Sequence, residues 1–200
     1  MVLDKSVAES VGASPIAMVV TNPHRPDNPI EIANQAFCRL TGYAEREIVG
    51  RNCRFLAGDD TEPSVRQQLR SAVGAQRPVL VDILNYRHDG TPFRNGVMIA
   101  PLFDEEGKLS YFLGSQVDLA ADEAAPLSVR RARATAQVEQ LPRRQRQVLE
   151  GMAQGLLNKQ IAYGLGIAEK TVKMHRVLLL DRLGGITSAE AIRIAVEAGL

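Results

Sequence analysis

The sequence predicts an α+β fold in which an antiparallel sheet with flanking helices is joined, through a linker helix, to an all-α C-terminal domain. Three observations predict it. Alternating segments between Val79 and Leu119 are separated by tight-turn signals, the pattern of an antiparallel meander. Residues 141–200 carry helix starts and stops but no strand pattern. Charge also shifts along the chain: residues 1–120 hold twelve basic and fifteen acidic side chains, whereas residues 141–200 hold nine basic and five acidic. The expected division is 1–119 for the mixed domain, 120–140 for a linker and connecting helix, and 141–200 for the helical domain.

Taken in order, Ile16 to Thr21 is an apolar, partly β-branched run ended by Asn22-Pro23. Short helical pieces are expected near Ala33–Leu40, Glu45–Val49 and Ser64–Ala75. Val79 to Asn85 alternates, with Val79, Val81, Ile83 and Asn85 on one face. His88-Asp89-Gly90 is a hairpin signal. The next strand runs from Phe93 to about Pro101 and aligns Phe93, Asn95, Val97 and Ile99. After the turn Glu105-Glu106-Gly107, Leu109 to Leu119 aligns Phe112, Gly114 and Gln116. Ala120 to Pro126 reads as a linker. Leu127 to Gln140 reads as a charged helix whose thin apolar stripe, Leu127, Ala134 and Val138, must dock on another element.

In the last third, Pro142 suits a helix first turn and Gly155 its stop. A short helix from Asn158 to about Tyr163, a turn at Gly164-Leu165-Gly166 and a longer helix from Glu169 to Leu183 follow. Gly184-Gly185 ends that helix, and Thr187-Ser188-Ala189-Glu190 opens the last one as a capping box.

The 200-residue chain is 45% hydrophobic and 24% charged, ordinary for a soluble globular protein. No apolar run approaches ~18 residues, so no membrane span is expected. The opening MVLDKSVAES lacks the features of a signal peptide. Cys38 and Cys53 form neither a disulfide framework nor a metal-ligand spacing, which suits a reducing, cytoplasmic setting without a metal. Cys38 is read as core.

Two helices joined by a short glycine-bearing turn, the second basic on one face, form a helix-turn-helix arrangement. Lys170, Lys173, Met174 and Val177 share one face, while Val172, Leu179 and Leu183 share another suited to a core. A solvated charged face accounts for the lysines as well as a DNA contact does. The stretch from Leu141 to Leu183, including Asn158-Lys159-Gln160-Ile161-Ala162 and Glu169-Lys170-Thr171-Val172-Lys173-Met174-His175, closely resembles the LuxR-type helix-turn-helix. The resemblance implies double-stranded DNA as partner. It implies base contacts from Lys173 and Met174, and phosphate contacts from Lys159, Lys170, Thr171 and His175; Arg176 joins this candidate set. It further implies that the last helix serves as a dimerisation surface. Ala168 stands where a capping side chain is usual, a loss of roughly 1 kcal/mol. Val177 stands where some relatives are basic.

Gly50-Arg51-Asn52-Cys53-Arg54-Phe55-Leu56 places a thiol between two arginines, which lowers a thiol pKa if the charges lie near it. A small buried cysteine is the alternative. Asn85, Asn95 and Gln116 put three carboxamides on inward-looking strand faces. They bond either to neighbouring backbone or to a ligand edge of alternating donors and acceptors. Arg54, Arg66 and Arg70 are candidate phosphate partners, or surface charges.

The segment GRNCRFL resembles the signature of LOV (light-oxygen-voltage) domains, the flavin-binding subset of the PAS fold. Asn34-Gln35-Ala36-Phe37, Leu40-Thr41-Gly42-Tyr43, Phe93-Arg94-Asn95 and Tyr111-Phe112-Leu113-Gly114-Ser115-Gln116 extend the match, from about residue 12 to 119. The resemblance implies bound FMN, blue-light excitation and a reversible bond between the Cys53 sulfur and flavin carbon C4a. It implies that Asn52, Asn85, Asn95 and Gln116 bond the flavin, that Arg54 and Arg70 hold its phosphate with Arg66 adding to them, and that Val19, Thr21, Leu56, Ile83, Ile99, Phe112 and Gly114 line the ring pocket. Ala57 replaces a glutamine usual in plant relatives.

Together the halves resemble bacterial LOV–helix-turn-helix transcription factors. The expected mechanism is a dark contact between sensor and effector, covering either the dimerisation helix or the DNA face. Light releases it through Gln116 and the linker, freeing a homodimer for DNA. Arg130, Arg131 and Arg133 are candidates for docking the linker. No enzymatic substrate motif is evident. The alternatives are a flavin redox sensor on the same DNA-binding domain, a flavoenzyme, and a sensor whose helical domain binds protein only.

Overall fold

The computed structural model describes residues 5–120 and 126–200. Residues 1–4 of the N-terminal segment and residues 121–125 of the expected linker lie outside the described residues.

The sheet contains β1 (Ala17–Thr21), β2 (Ile30–Ala33), β3 (Val79–Tyr86), β4 (Pro92–Phe103) and β5 (Leu109–Asp118) in the order β2-β1-β5-β4-β3. All neighbouring pairs are antiparallel, and β3, β4 and β5 form the expected meander. Its turns follow local chemistry. Asp89 Oδ1 accepts the Thr91 N–H at 2.9 Å, and Asp104 Oδ1 accepts the N–H groups of Glu106 and Lys108 at 3.0 and 2.9 Å.

The helices are α1 (Lys5–Ala13), α2 (Gln35–Thr41), α3 (Glu45–Ile48), α4 (Pro63–Gly74), α5 (Leu127–Glu139), α6 (Arg143–Ala153), α7 (Asn158–Leu165), α8 (Glu169–Arg182) and α9 (Ser188–Ala198), with a 3-10 turn at Cys53–Leu56. Four of these elements differ from the sequence expectation, the 3-10 turn among them because no helical piece is expected at Cys53–Leu56. Strand β2 and helix α1 were not expected, because tertiary contacts rather than local pattern hold both. Asn34 supplies much of that hold: its Oδ1 accepts the N–H groups of Met18 and Phe37, while its Nδ2 donates to the carbonyls of Val11, Ser14 and Ile16. One buried side chain thus ties α1, β1 and α2 together. Helix α7 runs through Gly164 and Leu165, so only Gly166, at φ 64°, acts as the stop. The Thr187 capping box forms as expected: Thr187 Oγ1 accepts the Glu190 N–H and Glu190 Oε2 accepts the Thr187 N–H.

Strand β5 is buried on both faces, as befits a strand covered from both sides. One face, with Val19, Ile83, Val97 and Phe112, looks toward α2, α4 and the 3-10 turn. The opposite face, with Met18, Val20, Met98 and Leu113, joins a continuous core with Val148, Leu149, Met152, Ile192 and Val196 of the helical part. Helix α5 lies along α9 and buries Ala134 and Val138, the docking expected from its thin stripe.

The seam between sheet and helices is specific. Arg193 of α9 is 1% exposed. Its Nη1 donates to Ser115 Oγ at 2.7 Å and to the Gly96 carbonyl at 3.3 Å, and its Nε to Glu197 Oε1 at 2.7 Å. Arg130 of α5 donates to the same carboxylate oxygen at 3.1 Å; Arg131 and Arg133 are exposed. The Ala189 N–H donates to Ser10 Oγ of α1 at 2.9 Å. At the far end, the Phe103 N–H donates to the Gly155 carbonyl at 3.2 Å. A Cβ on Gly155 would stand 2.1 Å from the Pro101 carbonyl oxygen, and its φ of +78° already favours glycine. Gly155→Ala is therefore expected to lower the unfolding temperature by at least about 2–4 °C in a thermal melt, through the seam rather than through α6 alone.

Glu62, just before α4, accepts the Leu84 N–H at 3.0 Å and pairs with Arg94, which also bonds Asp82. The backbone bond, then the arginine, pull its carboxyl down to about 2. A depressed folded pKa stabilises above the unfolded value, near 4.5, and the contribution is lost as pH falls toward 2. Melts in that acid window should show a shallower pH dependence for Glu62→Gln. The effect is on the order of 1 kcal/mol or less, since a third-exposed pair is screened.

Candidate functional site

A cavity of about 630 Å³ lies between the sheet and the segment carrying the 3-10 turn and α4, within the range of small-molecule and cofactor sites. Val19 and Thr21 of β1, Ile83 and Asn85 of β3, Ile99 of β4, and Phe112, Gly114 and Gln116 of β5 line the sheet side. Asn52, Cys53, Arg54 and Leu56 line the turn, and Arg66 and Arg70 line α4. Of the expected cofactor residues only Asn95 does not reach the wall. A Cβ on Gly114 would meet Val19 Cγ2 at 2.9 Å, so glycine keeps the floor flat where the strands approach.

Asn95 is fully buried behind the wall and organises it. Its Nδ2 donates to Asn85 Oδ1 and to Gln116 Oε1, both at 2.9 Å, and Asn85 Nδ2 donates to the Leu84 carbonyl at 3.0 Å. The three carboxamides expected to converge do converge, because the register pairs Ile83 with Asn95 and Val97 with Gln116 across neighbouring strands. Asn95 Oδ1 is left buried without a partner, and so is Asn28 Oδ1 near the arginine end. Buried acceptors of this kind call for a donor. An apolar slot with a carboxamide cluster at one end and arginines at the other fits a flavin nucleotide.

The arginine end departs from expectation in detail. Arg54 pairs with Asp27, and Arg70 donates to Gln67 Oε1 at 3.1 and 2.8 Å. Arg25 also lines the cavity, a residue the sequence reading missed because it sits in the irregular Asn22–Pro29 loop. Asn52 is engaged locally: its Nδ2 donates to the Asp27 carbonyl at 2.6 Å, and its Oδ1 accepts the Arg54 N–H at 3.0 Å. It fixes the 3-10 turn that carries Cys53.

Of the two readings open for Cys53, the structure favours the buried thiol over one activated by flanking arginines. Burial pushes its thiol up to about 12, and no arginine offsets it. Arg51 stacks over Phe55 at 4.3 Å and Arg54 turns to Asp27, so neighbours in sequence diverge in space. Cys53 is a neutral S–H at the cavity wall. Cys38 is half-buried at the edge of a core cluster rather than inside it.

On the helical part, α8 presents Lys170, Lys173, Met174 and Val177 outward and buries Val172, Leu179 and Leu183. Lys159 of α7 is exposed, and Thr171 and His175 are half-buried. Lys173 Nζ lies 2.8 Å from Glu169. Arg176 turns inward: it donates to Asn158 Oδ1 at 2.8 Å and Ser188 Oγ at 3.0 Å, bracing α7 and α9 against α8. Ala168 leaves α8 without a side-chain cap. Helix α9, not α8, is the element covered by the sheet.

Residues 15–121 match the PAS domain family, just over half of the chain. The chain belongs to the PAS domain family. Residues 139–195 match the bacterial regulatory proteins of the luxR family, so this PAS protein carries a LuxR-type helix-turn-helix. Its sensor is of the LOV kind. It is 50% identical over 111 residues to blue-light-activated histidine kinase 1 of Erythrobacter litoralis, a match covering 56% of this chain and 31% of that protein. It is 37% identical to the light-state LOV domain of the photoreceptor Aureochrome1, with a TM-score of 0.52 over 62% of this chain and 93% of that one. It is 40% identical to a light-oxygen-voltage domain studied with a flavin analogue, with a TM-score of 0.57 over 60% of this chain and 90% of that one. The chain spans between a quarter and a third of the length of the curated relatives it matches. Among the described residues no helix is long and apolar enough to cross a membrane.

Proposed function

We propose that this LOV protein is a blue-light-regulated, non-enzymatic transcription factor that holds FMN beside Cys53, and whose helix-turn-helix is freed by light to dimerise on duplex DNA. The observation carrying this reading is the two-sidedness of β5. Gln116 lines the cavity, while Ser115, one residue earlier, accepts a hydrogen bond from Arg193 of α9. Successive residues of a strand face opposite ways, so a single step along β5 links cofactor site and effector.

When bound, the flavin supplies blue-light absorption and a ring carbon able to accept the Cys53 sulfur. Cys53 would bring its own proton, because its thiol is neutral, and would pass it to the ring nitrogen beside that carbon as the sulfur bonds, so the step would balance without a second acid or base. Val19, Leu56, Ile83 and Phe112 keep water from the sulfur. Asn85 and Gln116 would meet the polar edge of the ring, held in place by Asn95 behind them, and Arg54, Arg66 and Arg70 would meet the phosphate. The Gln116 carboxamide offers a donor and an acceptor, so it can answer a change of protonation at that edge by turning over. Turning gives up the 2.9 Å bond from Asn95 and disturbs β5 two residues before Asp118, where the strand ends. A few kcal/mol of difference in contact between the two states suffices to release α9. The released α9 then has an apolar face for a second copy, and the lysines of α7 and α8 have phosphates to neutralise.

Two measurements test this reading: absorption of the purified chain before and after blue light, and gel shifts of random duplexes in both states. A blue band that bleaches and recovers, with a shift favoured by light, is expected. No spectral change removes the photochemistry, and no shift in either state removes the DNA partner. A spectrum that responds to reductant but not to light favours a redox sensor instead.

A further inference from the structure

Helix α8 carries more exposed apolar surface than its fold requires. Val172, Leu179 and Leu183 already fill its buried face. Met174, Val177 and Leu178 are 50%, 67% and 45% exposed. Spacings of three and four place them in one contiguous patch, and the sensor does not cover it. The patch is not isolated: Lys170 and Lys173 stand on the same face just before it, and Lys159 of α7 is exposed nearby in the motif. An apolar patch bordered by cations suits a polyanion that also displays apolar groups.

We infer that Met174, Val177 and Leu178 read thymine methyl groups in the major groove, so that this chain selects duplexes with thymines beside the base pair met by Lys173. The inference rests on the DNA-binding reading and deepens it. Valine and leucine side chains have no donor or acceptor. On the major-groove edges of the four base pairs, the thymine C5 methyl is the one apolar feature they can recognise. From Lys173 to Leu178 the helix rises roughly 8 Å, which fits within a groove about 12 Å wide and covers two or three base pairs. Lys173 supplies the hydrogen-bonding part of the readout, once its contact with Glu169 is exchanged for a guanine edge. Leu178, four residues beyond Met174, extends the apolar readout by one turn.

The test uses the full chain under blue light. Duplexes are selected from a random pool, and each thymine of the selected site is then replaced singly by uracil, which removes only the methyl. We expect uracil at one or two positions per half-site to weaken binding about fourfold, the equivalent of one buried methyl group. Val177→Ala should bind the thymine and uracil duplexes alike at one of these positions, with an unchanged dependence on salt and an unchanged unfolding temperature. Leu178→Ala should do the same at a neighbouring position. Selected duplexes that tolerate uracil everywhere would overturn the inference and leave DNA binding intact. So would a Val177→Ala protein that keeps the thymine preference, or one that loses self-association instead. A pool from which no duplex is enriched sinks both the inference and the DNA reading.

Discussion

Cys53→Ala is expected to keep its flavin and to lose its light response completely. The substitution removes one sulfur from the wall of a 630 Å³ cavity whose amide and arginine ends are untouched, so cofactor affinity should change by less than about tenfold, or 1.4 kcal/mol. DNA binding in light and dark should become equal, at the dark level. The measurement is a flash experiment on the purified variant paired with a gel shift in both states. Retained bleaching would assign the photochemistry to another group. The neutral thiol adds a second expectation. Burial holds its pKa near 12, so the group stays protonated below that value. The light response of the unaltered chain should therefore not track a cysteine titration between about pH 6 and pH 9, where an ordinary thiol, near 8.5, would ionise. A response that changes through that window with a single proton would mean that a thiolate reacts.

What the sequence discloses here follows the range of the interaction involved. The carboxamides were legible because strand alternation is local: Asn85, Asn95 and Gln116 each fall on the inward phase of their own strand, and antiparallel pairing then brings them within 2.9 Å. The cysteine's environment was not legible. The arginines at 51 and 54 adjoin it along the chain, but Arg51 stacks on Phe55 and Arg54 turns to Asp27, leaving desolvation to set the thiol. Strand β2 was hidden because its four residues gain strand character only by pairing with β1, across a loop where Asp27 and Asn28 adopt left-handed backbone. Arg176 misled for the opposite reason: it adjoins the DNA-facing motif, yet Asn158 and Ser188 claim its guanidinium. Arg193 stands outside the residues expected at either site. Its signal was present, an arginine four residues before Glu197 inside an otherwise apolar helix, a spacing that pairs charges on one face. A charged pair where the helix must be buried marks an interface with polar groups on its far side.

Those polar groups make Ser115→Ala the variant expected to bind DNA without light. Ser115 is fully buried and accepts from Arg193 Nη1 at 2.7 Å. Removing its hydroxyl leaves the guanidinium with Gly96's carbonyl at 3.3 Å and Glu197, and takes away the shorter of the two bonds that Nη1 donates. Leaving a buried charged donor short of a partner costs about 1–3 kcal/mol. The whole cost falls on the closed arrangement, because a freed α9 can hydrate the same group. The closed-to-open ratio should therefore drop roughly 5- to 150-fold. Photochemistry should be unchanged, since Ser115 faces away from the cavity that Gln116 lines. The check is a dark gel shift beside a photocycle measurement on one preparation. Dark binding with normal bleaching and recovery places the latch on this hydrogen bond. A variant that stays silent in the dark assigns the closed state to the apolar seam instead, where Met98, Leu113 and Ile192 meet. Arg193 would then be a residue that tolerates the interface rather than one that holds it.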